Sequence, residues 1–327
     1  MNPTRIDLKR ILCPVDFSDY SHRALERAVP LANWFDAEVV ALHVVPFLMP
    51  PGPGLPHLPA PFEVTKEQHA QAERDLKALV APFLTERAIE TRVRQGTVWR
   101  EILAEAEELP ADLVVMGTHG RSGFQHLLLG SVTEKFVRRA TCPVLTVGNL
   151  PAPPRVGPLF RRILCAADLT EASAHTIDFA LSLAEENRAA VTLIHVIDNL
   201  PDQDSALGLH LAAPDIGLLR RELVEYATGR LRRAVPDASR DVCRIRERVE
   251  VGTAWREILR AAKETEADLI VMGAHVHGPV GRRFFGSTSS QVVRQASCPV
   301  LVARETEAPG LPVRAAATVQ HGEAGSH

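Results

Sequence analysis

Hydrophobic residues along the chain alternate between two rhythms. Residues 10–15, 38–45, 112–116 and 144–147 form short, nearly continuous apolar runs, while Ile89, Thr91 and Val93 alternate with polar neighbours. These are the patterns of buried and half-buried strands. Between them, apolar residues recur at helical spacing. Ala24, Ala28, Leu31 and Phe35 follow a cap at Ser18 or Ser21. Thr65-Lys66-Glu67-Gln68 is a capping box opening a helix to about residue 85. Trp99, Ile102, Leu103 and Ala106 mark a third helix, and Val132, Phe136 and Val137 a fourth over 131–139. Strands alternating with helices predict an α/β fold, a parallel sheet covered on both faces.

The whole pattern occurs twice. Arg10-Ile11-Leu12-Cys13 returns as Arg162-Ile163-Leu164-Cys165, and His43-Val44 as His195-Val196. Further on, Gly96-Thr97-Val98-Trp99-Arg100-Glu101-Ile102-Leu103 matches Gly252-Thr253-Ala254-Trp255-Arg256-Glu257-Ile258-Leu259. Gly130-Ser131 matches Gly286-Ser287, and Cys142-Pro143-Val144-Leu145 matches Cys298-Pro299-Val300-Leu301. The offset is 152 residues early and 156 later, so one length change separates the copies. A period this long means duplicated domains rather than a solenoid. The expected division is 1–150 and 155–304, joined across the proline-rich stretch 149–154, with 305–327 a disordered tail. Residues 46–61 carry seven prolines, which excludes a helix or interior strand there and suggests a flap or lid.

Composition narrows the class. Hydrophobic residues make up 46% and charged residues 24% of 327, with a formal net charge of -3. That is the make-up of a globular protein with no basic excess for nucleic acid. No apolar run approaches the ~20 residues that span a bilayer, and the N-terminus lacks a signal-peptide pattern, so the expectation is a cytoplasmic protein. Five cysteines without a CxxC spacing indicate neither a zinc site nor a disulfide framework.

The candidate chemistry lies after the fourth strand. Met116 and Gly117 end it, Gly120 follows three residues later, then nine residues, then Gly130-Ser131 opening a helix. Glycines allow backbone to approach a ligand closely, and the first amides of a helix lack intrahelical partners. The combination suits a phosphate, with Ser131 able both to cap the helix and to donate its hydroxyl. Arg121 can pair with phosphate or sit in solvent. In a doubly wound sheet, ligands lie beyond the strands' carboxyl ends where the winding reverses, which would place Asp16 and Gly117 over one crevice. Asp16 can serve a ribose, an adenine amine or a metal, or simply cap the next helix. His43 and His195 read first as core histidines, and Trp99 and Trp255 as packing anchors. His275 and His277 alone do not make a metal site.

With these residues the chain resembles the universal stress protein family. The family's ATP-binding signature is Gly-x-x-Gly, nine residues, then Gly-Ser or Gly-Thr, which Gly117, Gly120, Gly130 and Ser131 meet in full. The resemblance implies two tandem Rossmann-like domains of the adenine nucleotide alpha hydrolase type, each with strand order 3-2-1-4-5. It also implies ATP, with Mg or Mn as candidate companion, bound by Pro14, Val15 and Asp16, by Val44 beside the adenine, and by Met116 through Val132. It implies fifth strands that pair across a dimer interface, here within one chain as a pseudo-dimer, with further homodimerisation open.

The second copy departs from the signature. Asp168, Val196, Gly273, Gly286 and Ser287 remain as candidate binding residues, but Val276 stands where Gly120 stands, and Ala166 and Ala167 replace Pro14 and Val15. If that loop position needs φ > 0, a side chain there costs about 1–2 kcal/mol. The expectation is an ATP-binding first domain and a second that binds weakly or differently. There is no Walker A lysine and no nucleophile–base pair, so the expected function is a nucleotide-dependent stress-response regulator with an unidentified protein partner and little or no catalysis. A slow ATP hydrolase and a ligand-carrying module without nucleotide are the alternatives.

Overall fold

The computed structural model describes residues 6, 8–47, 65–85, 87–120, 129–148, 150–151, 157–198, 213–274 and 286–304. The expected lid beyond Phe47, most of the connector and the tail lie outside these residues; Pro46, expected in the lid, instead closes an interior strand opposite Gly96, at its very end.

In the first half the elements run β1 (Arg10–Val15), α1 (Asp19–Phe35), β2 (Glu38–Pro46), α2 (Lys66–Val80), β3 (Ile89–Gly96), α3 (Val98–Glu108), β4 (Leu113–Gly117), α4 (Ser131–Val137) and β5 (Val144–Val147). The second half repeats them as β6 (Arg162–Ala166), α5 (Glu171–Asn187), β7 (Ala190–Ile197), α6 (Ala213–Ala234), a short α7 (Asp237–Val242), β8 (Ile245–Val251), α8 (Ala254–Glu264), β9 (Leu269–Gly273), α9 (Ser287–Gln295) and β10 (Val300–Ala303). Ser18 settles the first cap by accepting from the Ser21 amide, and both arms of the Thr65–Gln68 capping box form. The second helix stops at Val80, where Pro82 permits only a 3-10 turn over Ala81–Phe83.

Each half has the strand order 3-2-1-4-5, all parallel, and the two join into one ten-stranded sheet. β5 and β10 pair antiparallel at the join, with Leu145 opposite Leu301, Val144 opposite Val302 and Thr146 opposite Val300. Leu145 and Leu301 are each other's repeat equivalents, so a pseudo-twofold axis passes between them, as in an isologous dimer interface. Val144, Leu145, Val300, Leu301 and Val302 are all buried, so the join hides two edges that would otherwise invite association.

The sheet buries both faces. One face, through Ile11, Cys13, Val39, Val115 and their counterparts, packs on α1, α2, α5 and α6. The other, through Leu12, Val40, Val114, Met116 and theirs, packs on α3, α4, α8 and α9. Both cores run through the join. Alternate residues of one strand serve opposite faces, which is why the strands read as unbroken apolar runs.

Candidate functional site

β1 and β4 are neighbours at the centre of the first half, and the chain leaves them toward opposite faces. Their carboxyl ends therefore open a crevice, which takes the form of a cavity of about 320 Å³, within the usual range for small-molecule sites. Its walls include Pro14, Val15 and Asp16 from the end of β1, Val44 from β2, Met116, Gly117 and Gly120 from β4 and its loop, and Gly130, Ser131 and Val132 at the start of α4. Within the expected stretch 116–132 the described residues line this cavity except Thr118 and Leu129. Arg121 lies outside the described residues.

The loop is clamped at its base. The Thr118 amide donates to Val147 O at 2.9 Å, and the Gly130 amide donates to Thr118 O at 2.8 Å. Thr133 Oγ1 donates to Gly117 O at 2.8 Å and is buried. Strand end and helix start are thus fixed to one another.

The glycines are needed for space. A Cβ at Gly120 would lie 2.5 Å from Asp16 Oδ2, and one at Gly130 would lie 3.0 Å from Thr118 O. At Gly117 the obstacle is Tyr20, whose Cβ would be 2.8 Å away. The left-handed backbone considered for Gly120 is not what the structure uses: positive φ among described glycines occurs at Gly96, Gly157 and Gly252. Instead Gly120 lets the loop rest against a carboxylate.

That carboxylate is itself held. Asp16 Oδ1 accepts from the Ser18 amide at 3.1 Å and from Ser18 Oγ at 2.6 Å, so it organises the turn into α1 while lining the cavity. Ser18, not Asp16, caps the helix. Ser131 departs from expectation too. Gly130 is the N-cap of α4, and Ser131 is its first, exposed residue, so the Ser131 hydroxyl is not spent on capping.

Some of the cavity was not legible from the motif. Phe17 takes φ 64°, and its repeat equivalent Leu169 takes φ 62°. A bulky residue in the left-handed region costs about 1–2 kcal/mol and tends to mark a functional turn. The Phe17 ring packs 4.4 Å from His43, whose Nδ1 donates to Val15 O at 2.8 Å. A carbonyl can only accept, so the proton sits on Nδ1. Leu42, Val98 and Ile102 add an apolar wall, and His119 a second imidazole. No pattern in the sequence singles these out, because each looks like an ordinary core or loop residue.

In the second half, Asp168 repeats the arrangement of Asp16, accepting from Thr170 N at 3.0 Å and Thr170 Oγ1 at 2.6 Å. His195 Nδ1 likewise donates to Ala167 O at 2.8 Å. Val196 lies on β7, Gly273 ends β9, and Gly286 caps α9 ahead of Ser287. Among the described residues a Cβ on Gly286 would meet nothing within 4 Å. Val276, His275 and His277 lie outside the described residues. Among the described residues no group of three or more metal-ligating side chains occurs, and no helix is long and apolar enough to cross a membrane.

The model of the Universal stress protein family matches residues 7–148 and again 159–304. The chain belongs to the universal stress protein family. A universal stress protein from Mycolicibacterium smegmatis is 28% identical over 300 residues, covering 90% of this chain and 96% of its own. Universal stress protein MJ0531 of Methanocaldococcus jannaschii is 39% identical over 142 residues, covering 42% of this chain and 81% of its own. The crystal structure of a universal stress protein from Archaeoglobus fulgidus covers 91% of this chain and 99% of its own, with a TM-score of 0.63 at 22% identity. At that identity the last comparison speaks for the fold, a tandem of two universal stress protein units.

Proposed function

We propose that the first half of this universal stress protein binds ATP in the cavity between β1, β2 and β4, and that the bound nucleotide regulates a partner with little or no turnover. The observation that carries the reading is the tight approach at Gly120 and Gly130. A β-carbon would stand 2.5 Å from Asp16 Oδ2 at Gly120 and 3.0 Å from Thr118 O at Gly130, and both glycines line the cavity. The residues fit a nucleotide in three zones. Leu42, Val44, Val98 and Ile102 provide apolar surface for a base, Asp16 provides an acceptor for ribose hydroxyls, and the loop with the first amides of α4 provides donors for phosphates. A magnesium or manganese ion accompanying the phosphates would lower their repulsion from Asp16. The domain bounds 1–150 and 155–304 belong to this proposal, each half carrying its own crevice. The second site binds nucleotide weakly or differently, in keeping with Val276 in place of the middle glycine.

A melting assay with ATP tests the reading. The wild-type chain is expected to gain stability with rising ATP, as any ligand selective for the native state requires. Gly130→Val, which forces a branched side chain against Thr118 O, is expected to lose that gain. ATP-independent melting of the folded wild-type chain would overturn the proposal. A turnover assay addresses the second part: hydrolysis well above the Gly130→Val background would show an enzyme instead.

A further inference from the structure

Beside the nucleotide cavity, on the pseudo-twofold join, lies a separate hollow of about 100 Å³. Its first-half wall is Tyr20, Thr118, His119, Thr146 and Gly148, and Arg294 enters from α9 of the second half. The repeat gives this hollow a mate on the other side of the axis, and the two differ in an informative way. In the mate, the equivalent of Gly148 is Arg304, which is buried and donates through Nη2 to Val137 O at the end of α4. A guanidinium therefore fills the mate position from within the chain. At the hollow, Gly148 supplies no side chain and the space stays open.

The second difference concerns the helix arginines. Arg138 of α4 pairs with Glu134 one turn earlier at 2.7 Å. Arg294 is its repeat equivalent, but Ser290 stands where Glu134 stands, so the acid is gone. Arg294 makes no ion pair among the described residues, and its Nε is buried with no hydrogen-bond partner. A buried guanidinium N–H without an acceptor is uncommon, and with no acid beside it the Arg294 side chain keeps its charge at the edge of the hollow. The remaining walls carry the Thr118 hydroxyl and the His119 imidazole, 3.0 Å apart, and Thr146, whose hydroxyl proton goes to Val300 O, with Val293, Ala296, Cys298 and Val300 completing the lining. A second cation would be repelled by Arg294, whereas an oxyanion accepts from a guanidinium with strong, oriented bonds. Since a water molecule's share of liquid volume is about 30 Å³, the hollow suits an anion of few heavy atoms and excludes a nucleotide.

We propose that this hollow is a binding site for a compact oxyanion of the phosphate class, held by Arg294 across the join. His119 lines both this hollow and the nucleotide cavity, so the anion sits against the outer side of the phosphate loop. The site does not depend on the nucleotide reading, because Arg294 is not part of that cavity.

The side-chain Nε–H resonance of Arg294 in the full chain reads the site directly, once assigned by its loss in Arg294→Lys. Titration with inorganic phosphate is expected to shift it saturably, while chloride at matched ionic strength is not. Ser290→Glu, which rebuilds the pairing seen at Arg138, is expected to abolish the phosphate response without touching the wall of the hollow. A resonance that ignores phosphate, or follows chloride equally, overturns the proposal. So does an undiminished phosphate response in Ser290→Glu.

Discussion

Gly120→Ala is the most pointed test of how the loop is seated. The new Cβ would stand 2.5 Å from Asp16 Oδ2, about 0.9 Å inside the 3.4 Å where ordinary contact begins. Asp16 does not swing away freely, because its other oxygen holds Ser18 N at 3.1 Å and Ser18 Oγ at 2.6 Å. Hydrogen bonds to a charged group contribute about 1.5–3 kcal/mol each, while overpacking by one methyl costs about 1–3 kcal/mol. The lower-cost response is for the loop to back away, and that withdraws donors from the phosphates. At 1.4 kcal/mol per tenfold, ATP affinity measured by calorimetry should fall about 5- to 150-fold. The same change in an Asp16→Ala background removes the obstacle, so a double-mutant cycle should show coupling of about 1 kcal/mol or more. Equal losses in the two backgrounds would refute the argument that the carboxylate is what Gly120 accommodates.

Three further outcomes are expected. Glu105 is fully buried and receives Arg92 Nη1 at 2.6 Å as well as Arg94, but both arginines reach solvent. Glu105→Ala should therefore cost about 1–3 kcal/mol, less than the 3–5 of a wholly buried pair, seen as a lower urea midpoint at unchanged slope. Thr146 Oγ1 donates to Val300 O at 3.0 Å, yet its repeat equivalent is Val302, so Thr146→Val should cost no more than about 1 kcal/mol in the same assay. All five cysteines are buried free thiols, and burial raises Cys142, Cys165 and Cys298 to about 12 and Cys243 to about 11, with Cys13 raised too. The thiolate is the reactive form, so a thiol reagent at mildly alkaline pH should label the native chain barely and label every cysteine after denaturation. Fast labelling of the native protein would count against this packing.

The elements were legible wherever one local cause fixes them. The strands show as apolar runs because both faces of the sheet are covered, and the Thr65–Gln68 box marks a helix start by its own chemistry. The join was expected from the family resemblance, and the repeat supplied the two like edges, each in a strand after Cys-Pro, that form it. Contacts made at a distance stayed hidden. Gly120 reads as a residue needing an unusual φ, and only the fold shows that Asp16 is the reason for it. Ser131 looks like a cap until Gly130 takes that place. Phe17 and Thr133 carry no pattern at all, because a left-handed turn at Phe17 and a bond from Thr133 to Gly117 O arise from tertiary packing. Arg304 and Gly148 are likewise unremarkable in sequence until the axis sets them in equivalent positions.

Only one of the ladder's pairings runs antiparallel, and this decides which way each half looks. The mouth of the first crevice and that of its copy open on opposite rims of the sheet, so no single flat partner can cover both. What borders the first mouth is instead the rear of the second half, where its strands begin. The surface around the first mouth is therefore a composite of both halves, with Arg294 and Ala296 of the second standing beside Thr118 and His119 of the first.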